Sequence, residues 1–102
     1  IEMTAPGISV DRILKLVAEL HQIRITDIRG KSRKKNIAYP RQIAMYLCRE
    51  LTDSSYPEIG RHFGGTDHTT IIHACRQVAK AKEHDQTLQA TLENLKEQIL
   101  RS

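Results

Sequence analysis

Apolar residues in this chain recur at helical spacing almost from end to end, and nowhere do they alternate long enough to make a strand. Val10, Ile13, Leu14, Val17 and Leu20 form one stripe, and Ser9 stands before them as an N-cap. Ile8 and Ile13 are placed for a hydrophobic staple around that cap. Helix one is therefore expected from about Val10 to Leu20. A short second helix is expected near Thr26 to Arg29, with Thr26 as its cap and Gly30 as its stop. The third runs from about Ala38 to Leu51 on Ile43, Ala44, Leu47 and Leu51, with Pro40 in a first turn, where proline is tolerated. Ser55 and Glu58 have capping-box spacing, so a short fourth helix follows, burying Ile59 and Phe63. Gly64-Gly65 ends it, because glycine is the residue that most readily turns left-handed. Asp67 then caps a fifth helix on Ile71, Ile72, Cys75, Val78 and Ala79, running to about Glu83. Leu88, Leu92, Leu95 and Ile99 define a sixth. The fold class is all-α, with about six helices.

Length and charge narrow the class further. The 102 residues fit one domain, and with one Phe, three Tyr and no Trp its core has to be aliphatic. The chain opens on Ile rather than Met, so residues 1–7 read as a linker remnant and 8–102 as the domain. The net charge is +4, and its placement matters more than its size. From Ile28 to Arg49 there are seven basic residues (Arg29, Lys31, Arg33, Lys34, Lys35, Arg41, Arg49) and no acid. One face is thus strongly positive, which suits a phosphate-bearing partner. Cys48 and Cys75 lie in apolar helical surroundings and read as buried, reduced thiols. No apolar run is long enough to span a membrane and no signal peptide is present, so a cytoplasmic, nucleoid-associated location is expected.

Helices four and five with the Gly64-Gly65 turn between them make a helix-turn-helix candidate. Two short helices joined by glycine are common, so the turn alone is weak. Three features strengthen it. The first turn of helix five, which such motifs point into the major groove, holds Asp67, His68, Thr69 and Thr70. Asp can accept from cytosine, His can donate to a purine N7, and Thr methyls pack on thymine. Capping alone would account for Asp67 and the threonines, but not for His68. Second, Lys31-Ser32-Arg33-Lys34-Lys35 forms a basic loop beside the motif, and a flexible Arg there suits a narrow minor groove. Third, Arg41 and Gln42, and Ser55 and Pro57, sit at helix starts, whose free amides grip phosphate.

Pro40-Arg41-Gln42-Ile43-Ala44-Met45-Tyr46-Leu47, Leu51-Thr52, Pro57-Glu58-Ile59-Gly60 and the segment from Phe63 through Gly64-Gly65-Thr66-Asp67-His68-Thr69-Thr70 to Ile71-Ile72-His73-Ala74-Cys75 closely resemble the C-terminal DNA-binding domains of DnaA, the bacterial chromosomal replication initiators. The resemblance runs from about Ile8 to helix six. It implies a helix-turn-helix of the Trp-repressor type that binds double-stranded DNA at DnaA boxes of a replication origin. It puts Arg33 in the minor groove and Asp67, His68 and Thr69 on base edges in the major groove. It places Lys31, Lys34, Arg41, Gln42, Arg49, Thr52, Ser55, Pro57, Thr70, His73 and Arg76 near phosphates. No cofactor is expected in this chain, because ATP belongs to a separate domain of such initiators. The isolated domain is expected to be monomeric. Three departures stand out: Thr66 replaces a residue that is usually Arg or Lys, Tyr39 one that is often basic, and Gln77 a second basic residue after Arg76.

Other chemistries fit the residues poorly. His68 and His73 are five apart, about 140° around a helix, and no Cys-x-x-Cys or His-x-x-x-His pair exists, so no metal is expected. No catalytic constellation or Walker-type glycine loop is present, so the chain is not expected to be an enzyme. Two alternatives stay open: a DnaA-like module of another regulator or mobile element, and a protein-interaction bundle using helix six with Glu83, Asp85, Glu93 and Glu97.

Overall fold

In the computed structural model, which describes residues 7–101, six helices follow in order: α1 (Val10–His21), α2 (Ile25–Arg29), α3 (Lys35–Leu51), α4 (Tyr56–His62), α5 (His68–Ala81) and α6 (Gln86–Arg101). No strand occurs among the described residues. The linker reading of residues 1–7 falls, except for Gly7, outside them. Helix α3 is the hub and packs against each of the other five. Its Ile43, Ala44, Leu47 and Cys48 are fully buried, and a core of this kind loses about 2–5 kcal/mol when one such Leu is cut to Ala. Around it lie Ile13, Leu14 and Val17 of α1, Ile28 of α2, Ile59 of α4, Phe63 after it, Ile71 of α5, and Leu95 and Ile99 of α6. No polar or charged residue is buried among those described.

The helix ends follow local chemistry. The Ser9 hydroxyl accepts from the Arg12 amide at 3.1 Å, as the cap requires. Ile8 packs against the core that holds Ile13. Ser55 accepts from the Glu58 amide at 3.2 Å while the Glu58 carboxylate accepts from the Ser55 amide at 2.9 Å. That exchange closes the capping box and holds the Glu58 carboxyl below its ordinary range. Both thiols are free and buried; burial raises both pKa values, that of Cys75 to about 11.

Three boundaries differ from expectation. Helix α2 starts after Arg24, so Thr26 lies inside it, and the Asp27 carboxylate takes the Arg24 amide at 3.2 Å instead. Helix α3 starts at Lys35, capped by Lys34, so the basic loop is shorter than the Lys31–Lys35 run and Pro40 is internal rather than in a first turn. Proline there removes the bond to the Asn36 carbonyl, but Asn36 is exposed, and water can take that carbonyl. Helix α5 ends at Ala81, two residues short of Glu83, and its C-cap is Lys82, whose ammonium donates to the Tyr46 hydroxyl at 2.8 Å.

The turn from α4 to α5 is built on Gly60. Its carbonyl accepts from the amides of Phe63, Gly65 and Thr66 at 3.1, 3.1 and 3.0 Å. A Cβ at Gly60 would stand 2.2 Å from the Thr66 carbonyl oxygen, so no side chain fits. Gly60→Ala should therefore lower stability by about 3 kcal/mol, the upper end for overpacking, in urea unfolding followed by circular dichroism. A loss under about 0.5 kcal/mol would show that the turn can move aside.

Candidate nucleic-acid interface

The first turn of α5 is presented to solvent: Asp67, His68, Thr69 and Thr70 are all exposed. Two successive left-handed glycines, Gly64 at φ 73° and Gly65 at φ 76°, swing the chain out of α4 and into this position. Asp67 holds the N-cap position but does not cap; its carboxylate has no hydrogen bond to the helix amides and lies 3.2 Å from His68 Nδ1. The expected Asp67 cap is thus absent, because the side chain turns to its neighbour. Among the described residues, the amides of His68 and Thr69 then have no acceptor, and the positive end of α5 faces outward.

Helices α3 and α5 form a groove of about 440 Å³ beside that turn. Arg41, Gln42 and Met45 line one wall, and Thr69, Thr70, His73 and Gln77 the other. Five of the residues singled out from the sequence (Arg41, Gln42, Thr69, Thr70, His73) therefore meet in one concavity. Arg76, one turn further along α5, is exposed. A second group gathers where α3 gives way to α4. The Arg49 guanidinium donates to the Ser54 carbonyl at 3.1 Å and covers the Tyr56 ring at 4.2 Å. The Thr52 hydroxyl donates to the Cys48 carbonyl at 2.6 Å and accepts from the Ser54 amide at 3.2 Å. Ser55 is engaged in its capping box and Pro57 is exposed.

The basic loop lies against the same motif. Lys31, Arg33 and Lys34 are exposed. A Cβ placed on Gly64 would stand 2.8 Å from the Arg29 carbonyl and 3.8 Å from Lys31 Cε, so the α4–α5 turn is seated on the end of α2 and the start of the loop. Arg41 does not point into free solvent as a lone phosphate contact would. Its Nε donates to the Ile28 carbonyl at 2.9 Å, Nη1 to Ser32 at 2.7 Å and Nη2 to Asp27 at 2.8 Å. Partial burial pushes its pKa down, against the pull of Asp27. Sequence reading missed this clamp, since the partners are backbone carbonyls that leave no side-chain signature. It also missed the Arg29 guanidinium bonded to Asp11, an ion pair joining α1 and α2, with His62 Nδ1 of α4 3.9 Å from the same carboxylate. Only the opposite signs of Asp11 and Arg29 could have hinted at it. Among the described residues, no group of three His, Cys, Asp or Glu could hold a metal, and no helix is long and apolar enough to cross a membrane.

The family model described as the bacterial dnaA protein helix-turn-helix matches residues 10–78, more than half of the chain and all of this site. The chain belongs to the DnaA helix-turn-helix family. The DnaA chromosomal replication initiator of Symbiobacterium thermophilum is 52% identical over 88 residues, which cover 86% of this chain and 19% of that protein. A crystal structure of a DNA replication initiation factor superposes with a TM-score of 0.79 at 36% identity, covering 88% of this chain and 27% of that one. A DnaA bound to AMPPCP and single-stranded DNA gives 0.76 at 35% identity over 87% of this chain and 27% of its own, and AMPPCP-bound DnaA from Aquifex aeolicus gives 0.74 at 34% over 90% and 27%. The chain thus spans about a fifth to a quarter of the length of these DnaA relatives.

One departure from the DnaA pattern has a structural role. The Thr66 hydroxyl donates to the Phe63 carbonyl at 2.7 Å, across the turn that Gly60 closes. A long cationic side chain at this position forgoes that bond. Thr66→Val should lower stability by about 1 kcal/mol, the typical net worth of such a hydrogen bond. In thermal unfolding this is a drop of roughly 4–8 °C for a domain of this size. An unchanged midpoint would show that the hydroxyl carries no turn energy.

Proposed function

We propose that this chain is the duplex-DNA-binding module of a replication initiator and that it recognises DnaA boxes. It acts by binding and is not an enzyme; a nucleotide would be bound elsewhere in a longer protein. The observation that carries the reading is the exposed first turn of α5 beside a groove lined by Thr69, Thr70 and His73, with the basic loop seated against the same turn. An outward-facing helix start in the major groove reads bases through Asp67, His68 and Thr69. Asp67 lies 3.2 Å from His68 Nδ1, so the other ring nitrogen, Nε2, is the one that can address a base edge. Gln42, Thr70, His73 and Arg76 face one backbone strand, and Arg49, Thr52, Ser55 and Pro57 another stretch of phosphates, joined by Lys31 and Lys34 of the loop. Arg33 enters the adjoining minor groove. Such phosphate contacts set register and affinity, and the base contacts set the sequence.

Fluorescence anisotropy with a box duplex, a scrambled duplex and the single strand of the box tests this. The box duplex should bind most tightly, with affinity falling steeply as salt rises, by a log–log slope of about −0.9 per phosphate contact. Equal affinity for box and scrambled duplexes at every salt concentration would sink the proposal. His68→Ala and Thr69→Ala should each weaken box binding by about 1–3 kcal/mol and relax specificity at particular base pairs. Arg33→Ala should lose most where the minor groove is AT-rich. A loss uniform over all sequences would reassign these residues to phosphate.

A further inference from the structure

The segment between α2 and α3 carries Lys31, Arg33 and Lys34 with no acid, so its own charges push it apart. Among the described residues, one side-chain hydrogen bond from another element holds it: Arg41 Nη1 to the Ser32 carbonyl at 2.7 Å, directly before Arg33. The other backbone contacts of the segment are local and lie at its ends: the Gly30 amide to Asp27, the Lys34 amide to the Ser32 hydroxyl, and the Ile37 and Ala38 amides of α3 to the Lys34 carbonyl. The remaining arms of the guanidinium hold the Asp27 and Ile28 carbonyls at the end of α2, the same stretch whose Arg29 carbonyl lies under Gly64. One planar group thus fixes the loop relative to α3, while α2 fixes it relative to the α4–α5 turn.

We propose that Arg41 is a positioning residue for minor-groove readout: it holds the loop so that Arg33 and the first turn of α5 are presented in one fixed relative arrangement before DNA arrives. The inference rests on the DNA-reading function proposed above. The loop is ordered on folding rather than on binding, and the affinity otherwise lost to ordering it is retained. Three carbonyls, one on each nitrogen of a single guanidinium, need the fixed fork of arginine; the compact ammonium of lysine keeps the charge and cannot span them. Arg41→Lys therefore separates positioning from charge.

The test uses the wild-type chain, Arg41→Lys, Arg33→Ala and the double variant. Each is titrated against a box duplex, a duplex with AT-to-GC changes at the end read by Arg33, and duplexes altered opposite His68 and Thr69. Arg41→Lys should lose box affinity by roughly tenfold, within the range for residues of one hydrogen-bond network. It should lose AT-over-GC discrimination at the Arg33 end and keep discrimination at the His68 and Thr69 positions. Arg33→Ala should then have a much smaller effect in the Arg41→Lys background than in the wild type. Wild-type discrimination in Arg41→Lys, or losses that simply multiply, would overturn the proposal and leave Arg41 as a phosphate contact. In the DNA-free protein, amide hydrogen exchange at Ser32, Arg33 and Lys34 should be faster in Arg41→Lys, with core amides of α3 unchanged. Unchanged loop exchange would overturn positioning while leaving DNA reading intact. Equal binding of box and scrambled duplexes by the wild type would instead remove the reading on which the proposal rests.

Discussion

The outward presentation of the first turn of α5 depends on how closely the chain after α4 returns to Gly60. The carbonyl of that residue collects three amides, and its missing side chain leaves room for the Thr66 backbone. The direction of α5 is therefore set by backbone contacts, and its apolar stripe of Ile71, Ala74, Cys75 and Val78 is left to fill the space beside α3. Polar residues in the first turn of α5 need contribute nothing to the packing. They are free to serve a partner because the turn behind them is rigid.

Much of the architecture was legible because each local signal agreed with the packing. The α6 stripe, the Ser9 and Ser55 caps and the glycine turn appear where the residues put them, while the α1 stripe loses Leu20, which is exposed, and the α5 stripe shifts from Ile72 and Ala79, which are half-buried, to Ala74. Three of the errors share one cause: a residue with two local readings was resolved by a competing neighbour in the chain. Thr26 could cap, but Asp27 took the Arg24 amide. Pro40 could open a helix, but Lys35, Asn36 and Ile37 already formed a turn ahead of it. Asp67 could cap α5, but it pairs with His68.

The candidate site was legible as a set of residue types and less so as a division of labour. Exposure of Arg33, His68, Thr69 and Thr70 follows from a polar turn and a charged loop, both visible in the chain. The three bonds of Arg41 go to carbonyls that any residue supplies, so no pattern of letters announces them. Thr66 is the same case: as a letter it is a lost charge, and in the fold it is a hydroxyl that bridges the turn to Phe63.

The contact between Lys82 and the buried Tyr46 has a mechanical consequence. It pins α5 at the end farthest from its polar first turn. With 14 residues between, the helix is a rod of about 21 Å. A tilt of only about 5° at the pinned end sweeps the tip through about 2 Å, more than half a hydrogen-bond length. Accuracy at His68 is thus a matter of leverage, and a lysine at the opposite end of α5 bears on the aim that the Gly60 turn sets.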